Sequence, residues 1–177
     1  MSFAAAELEA LIPRLRRYAR ALTHQQALAD DLVQDALERS WARRAQWRPG
    51  TDLRAWVFTI LHNVFISDVR RVRLASPLSE SDSAQHHHDR SAEPAALFDL
   101  ERALARLQPD QRAVVLLVGL EEMSYREAAE VLGVPAGTIM SRLARGRARL
   151  RELMDEPPRQ SQATPQPDAV AALRVVK

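Results

Sequence analysis

One strongly basic segment of the sequence has the composition of a DNA-contacting helix. From Val134 to Arg151 it carries five arginines and no acidic residue. Guanidinium groups donate hydrogen bonds to phosphate oxygens and to guanine edges, which is the chemistry that nucleic-acid recognition requires. Ile139, Leu143 and Leu150 recur at steps of four and seven residues, so the same helix would keep one apolar side. A basic helix on an apolar anchor is typical of an element that enters a DNA groove.

The residues before this segment predict a shorter helix and a tight turn. Ser124 and Glu127 have the spacing of a capping box, in which each side chain binds a free backbone N–H group at the helix start. Gly133 is the residue type that tolerates a left-handed helix end. Pro135 suits the start of the next helix. The order of these signals predicts a helix-turn-helix.

The arginine bias of the chain leaves an alternative open. Among the 25 Lys and Arg residues, Lys177 alone is a lysine, so a single arginine carries little information. A plain solvated helical hairpin would also be rich in arginine. The capping box, glycine and proline that come just before the densest basic run favour DNA binding.

Composition divides the 177-residue chain into two folded units. Apolar residues make up 46% of it, which is enough for real hydrophobic cores. Residues 76–94, and most of the stretch that begins at Asp155, are poor in apolar side chains and cannot offset the entropy cost of folding. We therefore predict two small all-α domains at 1–75 and 95–154, a flexible linker between them, and a disordered tail at 155–177.

Composition also disfavours several classes of function. No apolar run has the length of a membrane span, and acidic residues near the N-terminus argue against a signal peptide, so we predict a cytoplasmic chain without membrane insertion. The absence of cysteine rules out disulfides, thiolate zinc sites and a cysteine nucleophile. No phosphate-binding glycine loop or metal-ligand cluster is visible. We expect no cofactor and no enzymatic activity.

The histidines do not suggest a metal site. His62 has no second His, Asp or Glu four residues further on to share a metal. The three consecutive histidines at 86–88 lie in the predicted linker, and we interpret them as solvated sequence.

Apolar spacing predicts three helices in the N-terminal domain and no strand. The first follows Pro13, a residue type that fits the first turn of a helix. The second reaches Trp41, with Gly50 ending its region, and the third extends over about 52–73. The residues expected on their buried sides are Leu15, Tyr18, Ala19 and Leu22; Leu28, Leu32, Ala36, Leu37, Ser40 and Trp41; and Leu53, Val57, Ile60, Leu61, Val64, Val69 and Val72.

The opposite side of the third helix carries unusual chemistry for a surface. It combines hydroxyl, imidazole, amide and guanidinium groups with flanking aromatic rings, a combination that can receive unstacked nucleobases. Core packing is the alternative for the aromatic rings. For Phe58, about 110° from the centre of the apolar stripe, the two interpretations are equally good. This face comprises Thr59, His62, Asn63, Arg70 and Arg73, flanked by Trp56 and Phe58.

The second helix concentrates acidic residues in two of its turns. Asp30, Asp31, Asp35 and Glu38 surround Gln34, and arginines follow them. Acids early and bases late in a helix complement its dipole, which by itself would explain the pattern. Four acids in a chain that elsewhere favours phosphate also indicate a protein contact, and we interpret this turn as a docking site.

Two longer blocks of the sequence carry a family resemblance. The first is DDLVQDALERSW followed by RPGTDLRAWVFTILHNVFISDVRR, and the second is LARLQPDQRAVVLL followed by MSYREAAEVLGVPAGTIMSRLARGRARLREL. They resemble the second and fourth conserved regions of the extracytoplasmic-function (ECF) sigma factors, the compact two-domain group of the sigma-70 family. The resemblance covers about residues 8–154, and the order of the two blocks is more specific than either block alone.

The resemblance implies an all-helical subunit that brings bacterial core RNA polymerase to promoters and performs no catalysis. The partners it implies are the beta-prime clamp helices and the beta flap of the polymerase, promoter DNA, and an anti-sigma factor. Asp31, Gln34 and Asp35 fall where the family docks on the clamp helices.

The same resemblance distributes promoter contacts over both domains. Met140 and Ala144 depart from the family's commoner residue types, which leaves the preferred minus-35 sequence open. The residues that fall where the family opens the minus-10 element and captures bases are Trp56, Phe58, His62, Asn63 and Arg70. Those expected at the minus-35 element are Thr138, Ser141 and Arg142 near base edges, and Arg145 and Arg149 near phosphates.

The linker is too short to span both promoter elements unless the domains move apart. The elements are centred about 25 base pairs apart, or roughly 85 Å. A flexible linker over 76–94 has a typical span of about 25 Å and reaches roughly 60 Å when extended. We expect the free chain to be more compact than its promoter-bound form, with polymerase spreading the domains and a protein inhibitor trapping them together.

Two alternatives belong to other classes. A self-sufficient helix-turn-helix repressor should have a sensor or receiver domain with strands before residue 75, and the sequence has no strand pattern there. A helical adaptor that binds only protein would leave Arg142 and Arg145 without a role. Loss of Arg142 and Arg145 should therefore leave the activity of an adaptor unchanged, whereas it should reduce the activity of a DNA-binding protein.

Overall fold

The computed structural model describes residues 3–75 and 95–155, and every regular element in these ranges is a helix, as predicted. The predicted linker at 76–94, with its histidines at 86–88, and the predicted tail beyond Asp155 lie outside the described residues. The N-terminal unit contains α1 (Ala5–Glu9), α2 (Ile12–Thr23), α3 (Gln26–Ala42), a short 3-10 helix (Arg44–Gln46) and α4 (Leu53–Ala75). The C-terminal unit contains α5 (Ala95–Ala105), α6 (Pro109–Gly119), α7 (Tyr125–Leu132) and α8 (Ala136–Asp155).

The N-terminal unit is built around a core shared by three long helices. α3 packs against both α2 and α4. The Tyr18 ring of α2 and the Phe58 ring of α4 meet with their centroids 5.3 Å apart, and both side chains are fully buried. Phe58 therefore follows the core alternative, because the apolar face of α4 is wide enough to include it.

The C-terminal unit positions the predicted helix-turn-helix on α6. Both α6 and α7 pack against α8, and Ile139 and Leu143 of α8 are buried as their spacing predicted. Gly146 allows α8 to approach α6 closely, because a Cβ atom at this position would lie 2.8 Å from Cγ2 of Val115 on α6. The basic helix is therefore held rigidly by its apolar side.

The two units contact each other, consistent with the compact free form expected from the short linker. α2 lies against α5 and α6, and α4 lies against α7. Arg112 of α6 connects the units, because its guanidinium donates to the carbonyl oxygen of Leu22 at 2.9 Å and to that of Leu104 at 2.9 Å. Its burial lowers the pKa of the Arg112 guanidinium.

A buried acid in the α6–α7 connection joins the units more strongly. Glu121 is fully buried, and its carboxylate accepts hydrogen bonds from Arg14 Nε at 2.8 Å and Arg17 Nη2 at 3.0 Å. Its backbone carbonyl accepts from Arg14 Nη2 and Arg54 Nη1, each at 3.1 Å. We refer to Arg14, Arg17 and Arg54 as the arginine clamp. All three belong to the N-terminal unit, whereas the residue that they hold belongs to the C-terminal unit.

Several helix predictions need correction. The sequence pattern missed α1, and the second predicted helix ends at Ala42 rather than near Gly50. Leu28 was expected in the core but is 50% exposed, because the buried side of α3 is centred on Ala29 and Leu32 instead. Trp41 is 43% exposed for the same reason.

None of the helices within residues 3–75 and 95–155 combines the length and apolar character that a membrane span needs.

Candidate nucleic-acid interface

The helix-turn-helix is fixed by local hydrogen bonds at both ends of α7. The Ser124 backbone N–H donates to Glu127 Oε2 at 2.7 Å, and the Glu127 backbone N–H donates to Ser124 Oγ at 3.2 Å. These hydrogen bonds from Ser124 lower the pKa of the Glu127 carboxyl to about 2. Gly133 ends the helix at φ +63°, a left-handed conformation that glycine adopts without strain. The capping box and glycine turn are confirmed.

The leading end of α8 presents the residues predicted to face base edges. Ser141 is exposed and Thr138 half-buried, and Ser141 Oγ donates to the Thr138 carbonyl at 3.1 Å. Arg142 forms an ion pair with Asp110 of α6 at 2.7 Å, which leaves its side chain 25% exposed. The predicted contact of Arg142 with a base would therefore require Arg142 to leave Asp110.

The later arginines of α8 point into solvent. The Arg145 guanidinium donates to the Ser141 carbonyl at 3.3 Å. Arg149 pairs with Glu152 at 2.8 Å, with both side chains exposed. Exposed ion pairs of this kind contribute little to stability, so both guanidiniums can exchange these partners for phosphates.

The predicted minus-10 residues of α4 divide into accessible and covered groups. Asn63 and Arg70 are exposed, whereas His62 is half-buried and its Nδ1 atom is buried without a hydrogen-bond partner. Burial lowers the pKa of His62 to about 4, with opposing contributions from Asp110 and Arg142 of the other unit. His62 thus lies within electrostatic reach of residues on α6 and α8 of the other unit.

Phe58 was predicted at the minus-10 site, and the structure corrects its position. Its side chain is 0% exposed and packs on Tyr18. A ring that fills the core cannot stack on a base in this conformation.

A cavity beside Trp56 adds polar groups that the sequence pattern did not identify. It has a volume of about 330 Å³ and lies where the loop before α4 meets the helix. The Asp52 carboxylate fixes this corner by accepting from the backbone N–H groups of Arg54 at 2.8 Å and Ala55 at 3.2 Å. The lining residues are Gln46, Arg48, Thr51, Asp52, Ala55, Trp56, Thr59 and, from the C-terminal unit, Glu130. The one sequence signal for Arg48 and Thr51 as cavity-lining residues is that they lie a few positions before Trp56.

The predicted docking residues share the solvent side of α3. Asp31, Gln34 and Asp35 are all exposed. Gln34 Nε2 donates to Glu38 Oε1 at 3.2 Å, and Arg39 donates to Asp35 Oδ2 at 3.3 Å. These weak, exposed contacts leave the acidic side of α3 accessible in the compact form.

A second, larger cavity of about 760 Å³ opens between the two units. Its walls are mainly apolar, and arginines of α2 lie along one side. The lining residues are Pro13, Arg16, Arg17, Arg20, Ala21, Leu100, Glu101, Leu104, Val115, Leu116, Gly119, Leu120 and Leu150. Within the part of the chain that the structure describes, no group of three or more His, Cys, Asp or Glu side chains has metal-binding geometry.

Two family models match the chain in the order that the sequence blocks indicated. The model described as the sigma2 domain of PhyR matches residues 8–62. The model described as sigma-70, region 4 matches residues 97–150. The first lies in the N-terminal unit and the second in the C-terminal unit.

Known proteins are similar to the chain over most of their length. The ECF RNA polymerase sigma factor EcfG of Rhodopseudomonas palustris is 37% identical over 150 residues, covering 84% of this chain and 83% of that protein. The ECF RNA polymerase sigma factor SigM of Mycobacterium tuberculosis is 33% identical over 141 residues, covering 80% of this chain and 71% of that protein. The solved structure of the sigma factor RpoE in complex with the anti-sigma factor NepR, from Bartonella quintana, has a TM-score of 0.74 at 38% identity and covers 84% of this chain and 94% of that chain. The chain belongs to the ECF sigma factor family of RNA polymerase subunits.

Proposed function

We propose that this ECF sigma factor binds core RNA polymerase and directs it to promoters by dividing the work between its two units. Residues 1–75 dock the polymerase and open the minus-10 element, and residues 95–154 read the minus-35 element. The observation that carries this proposal is the capped helix-turn-helix with its basic second helix, which follows a separate helical unit with an exposed acidic side. The chain contributes recognition, and we assign no catalysis to it.

Capture of the minus-10 bases is proposed for the α4 face together with the cavity beside Trp56. Trp56 offers an aromatic wall, and the cavity adds hydrogen-bonding groups. Asn63 and Arg70 extend the same contact along the exposed side of α4, and His62 joins them when the units separate. Stacking of an unpaired base is worth roughly 1–3 kcal/mol, which offsets part of the cost of melting. Phe58 supports this face from the core rather than contacting DNA.

Recognition of the minus-35 element is proposed for α8 in the major groove. Thr138, Ser141 and Arg142 stand at its leading end, where such helices reach base edges. Arg145 and Arg149 stand further along, where side chains meet the phosphate backbone. The depressed pKa of Glu127 keeps the α7 cap ionised at any physiological pH, so the recognition helix stays oriented.

Polymerase docking is proposed for Asp31, Gln34 and Asp35. Their exposure on α3 leaves them accessible while the two units are in contact. This supports a sequence in which the beta-prime clamp helices bind the closed chain first and the C-terminal unit then moves to the beta flap and the minus-35 element.

We further propose that the compact arrangement is the resting form and that an anti-sigma factor stabilises it. RpoE of Bartonella quintana and CnrH have been solved with the anti-sigma factor NepR and with the cytosolic domain of CnrY, respectively. In the present chain the arginine clamp already holds the units together, and His62 is half-buried within electrostatic reach of Asp110 and Arg142 of the other unit. A protein that binds both units would keep His62, a proposed minus-10 residue, out of reach of DNA.

A core-polymerase binding assay tests the docking half of this proposal. The purified chain is mixed with fluorescently labelled, sigma-free core polymerase, and the dissociation constant is compared for the unsubstituted chain, the Asp31→Arg/Asp35→Arg variant and a Glu9→Arg control. Glu9 lies on α1 and is exposed. We expect the double substitution to weaken binding by more than ten-fold and the control to change it by less than two-fold. Equal affinities for all three proteins would refute the assigned docking site.

A further inference from the structure

Phe3 is enclosed by all three tryptophans of the chain. Its ring centroid lies 6.4 Å from that of Trp41, 5.8 Å from that of Trp47 and 5.7 Å from that of Trp56. Phe3 is only 4% exposed. We call this group of four rings the aromatic cage.

The first helix is built to hold Phe3 in this cage. Glu7 Oε2 accepts a hydrogen bond from the Ala4 backbone N–H at 2.7 Å, which fixes the residue that follows Phe3. Phe3 and Leu8 occupy the two positions of a hydrophobic staple, the N′ and N4 residues that set the angle at which a chain enters a helix. Leu8 is also buried. The cap of this five-residue helix therefore fixes the backbone next to Phe3.

The aromatic cage adjoins the cavity beside Trp56. Trp56 belongs to both, and Trp47 lies in the chain between Gln46 and Arg48, which line the cavity. Trp47 Nε1 is buried without a hydrogen-bond partner, so no polar contact of that indole fixes its orientation. Ring packing against Phe3 does so instead. Edge-on aromatic pairs of this kind are worth about 0.5–1.5 kcal/mol each beyond burial.

We propose that Phe3 is a positioning residue for minus-10 recognition, holding Trp56 and the loop after Trp47 in the geometry that receives an unpaired base. This inference rests on the proposed function, because it concerns the cavity assigned to that base. Phe3 itself does not contact DNA. Its effect passes through the indole rings that it contacts.

The test uses the full chain with Phe3→Ala, Phe3→Leu and the matched control Glu9→Ala. Because every tryptophan belongs to the cage, intrinsic tryptophan emission of the free chain reports directly on cage packing. Phe3→Ala should shift the emission to longer wavelength, Phe3→Leu should shift it less, and Glu9→Ala should leave it unchanged. An unchanged emission in Phe3→Ala would mean that Phe3 does not order the cage, and would overturn the proposal.

The functional readout is base preference in reconstituted transcription with core polymerase. A promoter used by the unsubstituted chain is varied to each of the four bases at every minus-10 position and, separately, at the minus-35 positions. We expect Phe3→Ala to reduce discrimination at one or more minus-10 positions by at least five-fold, with minus-35 discrimination and core affinity within two-fold. Phe3→Leu should restore most of the lost preference.

Three further results would overturn the inference. Wild-type minus-10 preferences in a variant with red-shifted emission would show that the cage does not position the base site. A parallel loss of minus-10 preference, minus-35 preference and core affinity, in Phe3→Leu as well as in Phe3→Ala, would show that Phe3 supports the whole fold rather than the minus-10 site. Absence of transcripts with the unsubstituted chain would instead refute the proposed function, and the role of Phe3 with it.

Discussion

The Glu121 carboxylate in the C-terminal unit accepts a hydrogen bond at 2.8 Å from Arg14 Nε in the N-terminal unit. The acid is fully buried, whereas the Arg14 side chain is 35% exposed. Burying a carboxylate is costly unless it is paired and hydrogen-bonded. Burial of the Glu121 carboxylate is therefore favourable only while the units are in contact. Weakening this pair should favour separation of the units.

Glu121→Gln should destabilise the closed form. The amide keeps the shape of the side chain but removes the charge that binds Arg14 and Arg17, and hydrogen bonds to charged groups are worth about 1.5–3 kcal/mol. We expect the open population to rise by roughly ten-fold or more. The apparent affinity for core polymerase should tighten by the same factor if binding is completed only by the open form. Glu122→Gln, at the exposed neighbouring position, is the control, and equal tightening in both variants would contradict the role of Glu121.

Acid should also favour opening, through His62. Burial lowers its pKa from 6.5 to about 4, and Asp110 and Arg142 of the other unit also affect it, so we expect the closed form to require neutral imidazole. The contribution of neutral His62 to the stability of the closed form is complete above pH 6.5 and is lost as the pH falls from 6.5 towards 4. The loss is about 1.4 kcal/mol per pH unit.

Fluorescence energy transfer between dyes on Ala27→Cys and Ala148→Cys can follow this opening, since the chain has no other cysteine. Both sites are exposed, one in each unit. We expect the ratio of open to closed molecules to rise about ten-fold between pH 7.5 and 5.5, and His62→Gln to flatten that dependence. Asp110 and Arg142 face His62 from the other unit, and Glu127 stays ionised throughout this range. An unchanged pH profile in His62→Gln would rule out the imidazole as the titrating group.

Arg142 and Arg149 should affect promoter binding in different ways. Arg142→Ala removes a proposed base contact, so transcription should fall 10- to 100-fold and preference at one or two minus-35 positions should relax. Arg149→Ala removes a proposed phosphate contact. It should weaken binding to all promoters by a similar factor and reduce the slope of log affinity against log salt concentration by about one. Identical effects of the two substitutions on base preference would contradict the proposed orientation of α8.

Gly→Ala substitutions at Gly146 and Gly137 test how closely α8 packs, because the first position is crowded and the second is open. Gly146→Ala would place its Cβ atom 2.8 Å from Val115 Cγ2, and overpacking of this kind costs about 1–3 kcal/mol. Gly137→Ala meets no atom within 4 Å and should be neutral or gain up to about 1 kcal/mol of helix stability. Thermal unfolding measures both. Equal melting temperatures would show that α8 is not in close contact with α6.

The features predicted well from sequence are those whose causes are local. Ser124, Glu127 and Gly133 act within a few residues of one another, so their spacing was sufficient to define α7. The apolar stripe of α8 was predicted correctly for Ile139 and Leu143 for the same reason.

The features that sequence missed depend on contacts distant in the chain. Glu121 looks like an ordinary surface acid, and only the approach of α2 reveals its two arginine partners. Phe3 is buried against tryptophans at least 38 positions away. Phe58 lies at the border of an apolar stripe, where helical periodicity gives an angle but not the width of the neighbouring core.

Run-off transcription with the purified chain and sigma-free bacterial core polymerase, on a pool of promoters from its own genome, tests the proposed sigma-factor function. We expect discrete transcripts that disappear with Asp31→Arg, through loss of docking, and with Arg142→Ala, through loss of minus-35 recognition. The absence of transcripts, together with tight binding of duplex DNA by the chain alone, would contradict a sigma factor and indicate a self-sufficient repressor.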